Sequence, residues 1–132
     1  MLGYSEELKM LRQLIDISLL QDNWNDNEAK AFSKEQIKSC YELFDYLPFY
    51  MDILPVANGS IQFEHENDKQ FIKFNVFEDH ISAFEASLTT DWHLDYPNIN
   101  TIDLVDLLKG NRRKAIYDRS QVKKIGEWRE FK

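Results

Sequence analysis

The sequence predicts an α+β fold: N-terminal helices packed on a three-stranded antiparallel meander, followed by a C-terminal helix and a basic C-terminal segment. Three observations support this prediction. Apolar residues recur at helical spacing up to about residue 47, alternate with polar residues between about residues 60 and 86, and recur at helical spacing again after residue 100. The 132 residues form a single domain by length, with an acidic body at 1–110 and a basic segment at 111–132.

The N-terminal third is predicted to form two helices. The first spans about residues 5–20, with Ser5 as its N-cap, and its apolar stripe consists of Leu8, Leu11, Leu14, Ile15, Ile17 and Leu19. The second begins at Ser33 with a capping box, in which the Gln36 side chain reaches back to the N-cap. Cys40 lies on the inward stripe of this helix, where a buried structural cysteine is favoured over a reactive thiol.

The predicted meander contains two hairpins with two-residue loops, at Asn67–Asp68 and Glu78–Asp79. The first loop places Phe63 opposite Ile72. Both loops send the same apolar residues to one face, which we expect to pack against the helices: Ile61, Phe63, Ile72, Phe74, Val76 and Ile81. A one-residue slip would destroy this agreement, so the alternation predicts which residues face the core.

The segments around the meander are predicted from turn and cap residues. Residues 49–56 are expected to be an extended linker and residues 88–100 a loop. A third helix follows at Thr101–Lys109, with Asn100 as its cap. Two structures are open for the last 22 residues: a strand around Lys114–Tyr117, or a short helix carrying Val122, Ile125 and Trp128.

Composition narrows the class of protein. The chain has one cysteine, which cannot form an internal disulfide, so a secreted disulfide scaffold is excluded. The first residues carry charges and lack the apolar core of a signal peptide, and no apolar run approaches the roughly 20 residues that span a bilayer. We therefore expect a cytoplasmic protein that does not bind membranes.

The charge is unevenly distributed. Residues 1–110 carry 8 Lys or Arg against 20 Asp or Glu, a net charge of −12, whereas residues 111–132 carry 8 against 3, a net charge of +5. Within the basic segment, Arg112, Arg113 and Lys114 are candidate nucleic-acid contacts. The alternative, which we favour, is that this segment folds back onto the acidic body.

The histidines are the first candidates for chemistry. His65 and His80 are predicted on opposite faces of the sheet, so they cannot share a metal ion. His93 lies between Asp91 and Asp95, but solvated loop residues explain this cluster better than a metal or catalytic site. The four glycines lie far apart, which argues against a phosphate-binding loop. We therefore predict no catalytic residue, cofactor or metal.

The outer face of the meander carries the candidate partner-binding residues: Phe71, Lys73, Phe77, His80 and Phe84. Aromatic rings on an open sheet can stack nucleic-acid bases, although an acidic body opposes phosphate binding. The rings could instead form a patch that binds a protein. We favour a third arrangement, in which the basic segment covers them with Ile116, Tyr117 and Trp128.

Two segments resemble a loose family of small, uncharacterised bacterial and phage proteins. Asn23–Ser33 is similar to the family's pattern of tryptophan, Asp or Asn, glycine and alanine before a capped helix. Leu54–Glu64, with the run PVANGSIQFE, is similar to its strand motif. Asn27 stands near the position of the family's glycine. The resemblance implies a bacterial or mobile-element setting and supplies no catalytic residues.

The leading hypothesis is a non-enzymatic protein-interaction module. An acidic antitoxin, immunity or phage-type inhibitor protein would cover a basic or nucleic-acid-binding surface of its partner. Direct nucleic-acid binding by the basic segment and the sheet aromatics is one alternative. A small hydrolase or nuclease using His93 and nearby carboxylates is the other. The oligomeric state is left open.

Overall fold

The computed structural model describes residues 2–110 and the backbone of residues 122–124, and its architecture is α+β. Three α-helices lie within these residues: α1 at Tyr4–Ser18, α2 at Lys34–Leu43 and α3 at Thr101–Leu108. A 3₁₀ turn at Phe44–Tyr46 extends α2. The strands form one antiparallel sheet in chain order: β1 Asp52–Pro55, β2 Ile61–Glu66, β3 Gln70–Val76, β4 Ile81–Ser87, β5 Trp92–Tyr96 and β6 Val122–Lys124.

The sheet is larger than the predicted three-stranded meander, which corresponds to β2, β3 and β4. β1 lies in the predicted linker and β5 in the predicted loop, so the prediction understated the sheet. Both missed strands are short and flanked by turn residues, and their pairing with β2 and β4 is what makes them strands. Residues 122–124 form strand β6 instead of part of the short helix that was one alternative for the last 22 residues. The other alternative, a strand at 114–117, lies outside the described residues.

The second hairpin has the predicted register, with Val76 opposite Ile81. The first hairpin is shifted by two residues from the prediction, because Phe63 lies opposite Phe74 instead of Ile72. Three residues, 67–69, lie between the two strands, and the Asn67 side-chain oxygen stabilises the turn by accepting the N–H groups of residues 69 and 70 at 2.9 Å each. A two-residue shift leaves every side chain on its predicted face.

The predicted apolar face is confirmed as the core. Five of its residues are at most 2% exposed, and the rings of Phe63 and Phe74 stack with their centroids 4.5 Å apart: Ile61, Phe63, Ile72, Phe74 and Val76. Cys40 of α2 is fully buried in the same core, as expected. Burial raises the pKa of its thiol to about 12.

Helix α1 packs only in part as predicted, since Leu14 and Ile17 of the predicted stripe are buried and Leu11 is half-buried against the core. Its N-cap is Gly3 instead of Ser5, and the Glu6 carboxylate accepts the Gly3 N–H at 3.1 Å. The buried stripe is Met10, Leu14 and Ile17, whereas Leu8, Ile15 and Leu19 of the predicted stripe are exposed.

One polar side chain on α1 accounts for this orientation. Gln13 accepts the N–H of Ile53 at 2.9 Å and donates to the Tyr50 hydroxyl at 2.9 Å, so α1 lies along the open edge of β1. An edge strand needs partners for its backbone groups, and Gln13 supplies one.

Two of the predicted caps are confirmed. Ser33 accepts the N–H of Gln36 at 3.1 Å, and Asn100 accepts the N–H of Asp103 at 2.8 Å. The Gln36 side chain does not reach back to the cap. It is 3% exposed and donates to the carbonyls of Gly59 and Val76 at 2.8 Å each, and so ties α2 to the β1–β2 turn and the end of β3.

The loop between α1 and α2 has an unusual backbone conformation, because three non-glycine residues have positive φ: Asn23 at 65°, Asp26 at 57° and Glu28 at 67°. Side chains hold it in place. The oxygen of Asn23 accepts the N–H of Glu28 at 2.8 Å, and the indole of Trp24 donates to the Lys30 carbonyl at 3.0 Å. The tryptophan in this segment is therefore a structural residue.

No helix among the described residues is both long and apolar enough to cross a lipid bilayer. The longest, α1, has 15 residues and four acidic or basic side chains in its first nine positions: Glu6, Glu7, Lys9 and Arg12.

Replacing Gln36 with Met tests the link between α2 and the sheet. Gln36→Met keeps the volume of the side chain but leaves two carbonyls without their donor, so we expect the free energy of unfolding to fall by about 2 kcal/mol. Urea denaturation measures the change. Lys34→Met, an exposed change on the same helix, should cost less than about 0.5 kcal/mol. An equal loss in both variants would contradict this role for Gln36.

The buried thiol gives a second prediction. With a pKa of about 12, only about one Cys40 side chain in 10⁴ is ionised at pH 8 in the folded protein. We therefore expect Cys40 to react with Ellman's reagent only after unfolding in urea. Labelling of the native protein at the rate seen in urea would show that the thiol is accessible.

Candidate functional site

The outer face of the sheet, opposite the helices, is concave. Two rows of cross-strand neighbours run along this face: the amide row of Gln62, Asn75 and Ser82, and the charged row of Glu64, Lys73, Phe84 and Asp95. All of them except Glu64 line the concavity. Val56 and Asn58 of the β1–β2 turn also line the concavity, as do Phe77 and Pro97. We call this concavity, of about 710 Å³, the sheet cleft.

Hydrogen bonds hold the amide row in one orientation. The Asn75 side-chain nitrogen donates to the Ser60 hydroxyl at 3.0 Å and to the Gln62 side-chain oxygen at 3.2 Å. Ser60 donates onward to Asn58 at 2.6 Å, and Gln62 donates to Glu64 at 3.0 Å. Since Ser60, Gln62 and Asn75 are at most 9% exposed, these bonds are sheltered from water and the floor is preorganised.

Lys73 is the one cation of the charged row. Burial lowers the pKa of its ammonium group, and the carboxylates of Glu64 and Asp95 act in the opposite direction. The Lys73 nitrogen also lies 5.6 Å from the centre of the Phe84 ring, within the range of a cation–π interaction. The row thus places one ammonium group between two carboxylates on an aromatic floor.

Two of the candidate aromatic residues are not open to solvent. Phe71 is fully buried and Phe84 is 6% exposed, and with Ala86 they form a second, smaller apolar cluster. Base stacking needs an exposed ring face, which neither residue offers. The residues expected to cover these rings are Ile116, Tyr117 and Trp128, and those expected to contact nucleic acid are Arg112, Arg113 and Lys114. All six lie outside the described residues.

A second concavity, of about 340 Å³, lies on the far side of Phe77, and we call it the hairpin pocket. It is formed by the C-terminal half of α2, the β3–β4 hairpin and the start of α3. Its polar lining is Ser39, Glu42, Tyr46, Glu78, His80 and Thr101. Phe77 lines both concavities, so the β3–β4 hairpin separates them.

The wall formed by the hairpin is rigid. The N–H of Phe77 donates to the His80 carbonyl at 2.9 Å, and the two rings stack with centroids 4.4 Å apart and planes 5° apart. The Asp79 carboxylate lies 2.6 Å from the His80 ring nitrogen Nδ1, and this hydrogen bond lowers the pKa of Asp79. His80 is therefore fixed on both sides, by an aromatic ring and by a carboxylate.

His93 lies elsewhere than predicted. It is in β5 instead of a solvated loop, and only 3% of it is exposed. Its Nε2 atom is 3.3 Å from an oxygen of Asp95, whereas Asp91 is an exposed residue of the preceding turn. Among the described residues, no group of three or more His, Cys, Asp or Glu side chains is arranged to hold a metal ion.

The candidate residues from the sequence are thus divided between the two concavities. Lys73, Phe77 and Phe84 line the sheet cleft, Phe77 and His80 line the hairpin pocket, and Phe71 lines neither. The sequence analysis missed the amide row. The sequence feature that could have revealed this row is the pair of uncharged amides, Gln62 and Asn75, at outer-face positions between apolar neighbours.

Comparison of the chain with protein-family models, with curated proteins and with solved structures found no match. The resemblance of residues 23–33 and 54–64 to small bacterial and phage proteins therefore stays a prediction.

The donor role of Asn75 can be tested with Asn75→Asp. The new carboxylate would face two oxygens that Asn75 now serves as donor, so we expect a loss of about 3 kcal/mol in the free energy of unfolding at pH 7. Burial raises the pKa of a carboxyl group, so this deficit relative to wild type should shrink as the pH falls through that raised pKa. Asn98→Asp, at an exposed position, is the control. A deficit independent of pH would contradict the assignment.

Proposed function

We propose that this chain is a non-enzymatic protein-interaction module that binds a basic surface of a partner protein, as antitoxins, immunity proteins and phage-type inhibitors do. One observation carries the proposal. The hairpin pocket brings two exposed carboxylates, Glu42 and Glu78, together with the half-exposed ring of Tyr46 on a strongly acidic body. A lysine or arginine side chain of a partner fits this chemistry.

The acidic character persists in the folded protein. Of the 20 carboxylates in residues 2–110, 15 are exposed, against 7 exposed lysine or arginine residues. Even if each of these cations paired with a carboxylate, 8 exposed carboxylates would remain. Such a surface attracts a basic partner over a distance and raises the rate of association.

The pocket also offers short-range recognition. A guanidinium or ammonium group that enters the pocket would donate charge-assisted hydrogen bonds to the carboxylates of Glu42 and Glu78. The ring of Tyr46, 54% exposed, supplies a face for a cation–π contact.

The two alternatives gain no support from the described residues. A negative surface repels the phosphate backbone of nucleic acids, and the basic residues expected to bind it lie outside the described part of the chain. A hydrolase built on His93 would need that side chain in contact with substrate, whereas His93 is 3% exposed. We therefore retain partner binding as the proposed function.

Charge reversal in the pocket tests the proposal. A tagged chain is used to capture partners from an extract of the native host, and the captured protein is then titrated against each variant. We expect Glu42→Lys with Glu78→Lys to weaken binding at least tenfold, because the pocket would then repel a cationic side chain. Raising the salt concentration should weaken the wild-type complex.

The matched control is Asp68→Lys with Asp91→Lys. It changes the net charge by the same amount at the opposite end of the sheet, where the β2–β3 and β4–β5 loops meet through the Leu88 N–H and the Lys69 carbonyl at 2.9 Å. The control should bind nearly as well as wild type. Equal weakening in both variants, or recovery of no stoichiometric partner, would refute the proposal.

A further inference from the structure

Helix α1 carries a second apolar stripe that the fold leaves exposed. Tyr4 is 83% exposed, Leu8 37%, Ile15 47% and Leu19, the C-cap, 71%. The core is served by the other stripe, which consists of Met10, Leu14 and Ile17. An isolated exposed leucine is normal, but a row of large apolar side chains along one helix is a feature of interaction surfaces.

The spacing of this stripe indicates what covers it. Leu11, which is half-buried and also packs against the core, lies in line with this stripe, so that the row Tyr4, Leu8, Leu11 and Ile15 has intervals of four, three and four residues. This is the heptad spacing of a coiled-coil seam, with Leu8 and Ile15 at a positions and Tyr4 and Leu11 at d positions. A seam with this period is complementary to another helix, so we expect its partner to be helical.

The flanking charges select the partner and its direction. In this heptad Glu7 occupies a g position and Arg12 an e position, and both side chains are exposed. When two copies of α1 lie parallel, each g residue faces the e residue five positions further along the other helix, which pairs Glu7 with Arg12 of the second copy. In an antiparallel pair, e residues face e residues and g residues face g residues, so Glu7 and Arg12 would not form this pair.

We propose that α1 is a self-association surface, on which two copies of this chain pair through parallel α1 helices. The seam is Tyr4, Leu8, Leu11 and Ile15, and two reciprocal pairs of Glu7 with Arg12 flank it. Neither side chain forms a hydrogen bond or ion pair within the described residues. Helix α1 is about 22 Å long, which spans two heptads.

The contact is small and the dimer is therefore weak. Two heptads bury less than the roughly 800 Å² per partner of a standard interface, so dimer formation should depend on concentration over an accessible range. The surface lies apart from the hairpin pocket and does not depend on the proposed function.

Sedimentation equilibrium of the full chain over a range of concentrations tests this proposal. The wild type should show a monomer–dimer equilibrium. Glu7→Lys or Arg12→Glu alone should raise the dissociation constant about tenfold, because each change creates two repulsive pairs in the dimer. Combining both changes should return the dissociation constant to within about twofold of wild type, since the pairs are restored with reversed sign.

A second pair of variants removes the seam. Leu8→Asp with Ile15→Asp should give a monomer that unfolds at nearly the wild-type temperature, because both positions are exposed in the monomer. Tyr41→Asp with Ile102→Asp changes exposed apolar residues of the other helices and should leave the dimer intact. A wild type that stays monomeric at millimolar concentration, or a charge-swapped double variant no better than its single variants, would overturn the proposal.

Discussion

The alternation of side chains along β2, β3 and β4 is the constraint on which the rest of the structure depends. Because successive residues point to opposite faces, burying Phe63 and Phe74 under the helices places Gln62, Lys73 and Asn75 on the outer face. The core and the sheet cleft are thus two consequences of one pattern. A one-residue slip in any of these strands would turn the polar residues of the outer face toward the core and the apolar core residues toward the cleft.

Side-chain amides hold several parts of the fold in place. Gln36 ties α2 to the sheet, Gln13 covers the edge of β1, and the amide row keeps the sheet cleft in one shape. A buried amide that satisfies two carbonyls adds direction as well as free energy, because its hydrogen bonds form in only one arrangement. The β3–β4 hairpin benefits from this rigidity, since it forms a wall of both concavities.

Helix α1 shows how a single polar contact can decide between two apolar stripes. Both stripes have helical spacing, and either could be buried on that criterion alone. The hydrogen bond from Ile53 to Gln13 orients the helix so that Met10, Leu14 and Ile17 face the sheet. The stripe through Leu8 and Ile15 is then left on the surface with heptad spacing. The prediction failed here because periodicity identifies an amphipathic helix without identifying which tertiary partner its faces meet.

The sequence by itself determined the features that depend on neighbouring residues. These are the α+β class, the apolar face of the meander, the caps at Ser33 and Asn100, and the burial of Cys40. Tertiary structure decided the features that depend on distant residues: the shifted first hairpin, the pairing of β1 and β5, the burial of Phe71 and the two concavities beside Phe77. The physical reason is twofold. A two-residue shift leaves every side chain on the same face of the sheet, so the alternation of residues does not reveal it. A short strand forms only when a neighbouring strand supplies hydrogen-bond partners for its backbone groups.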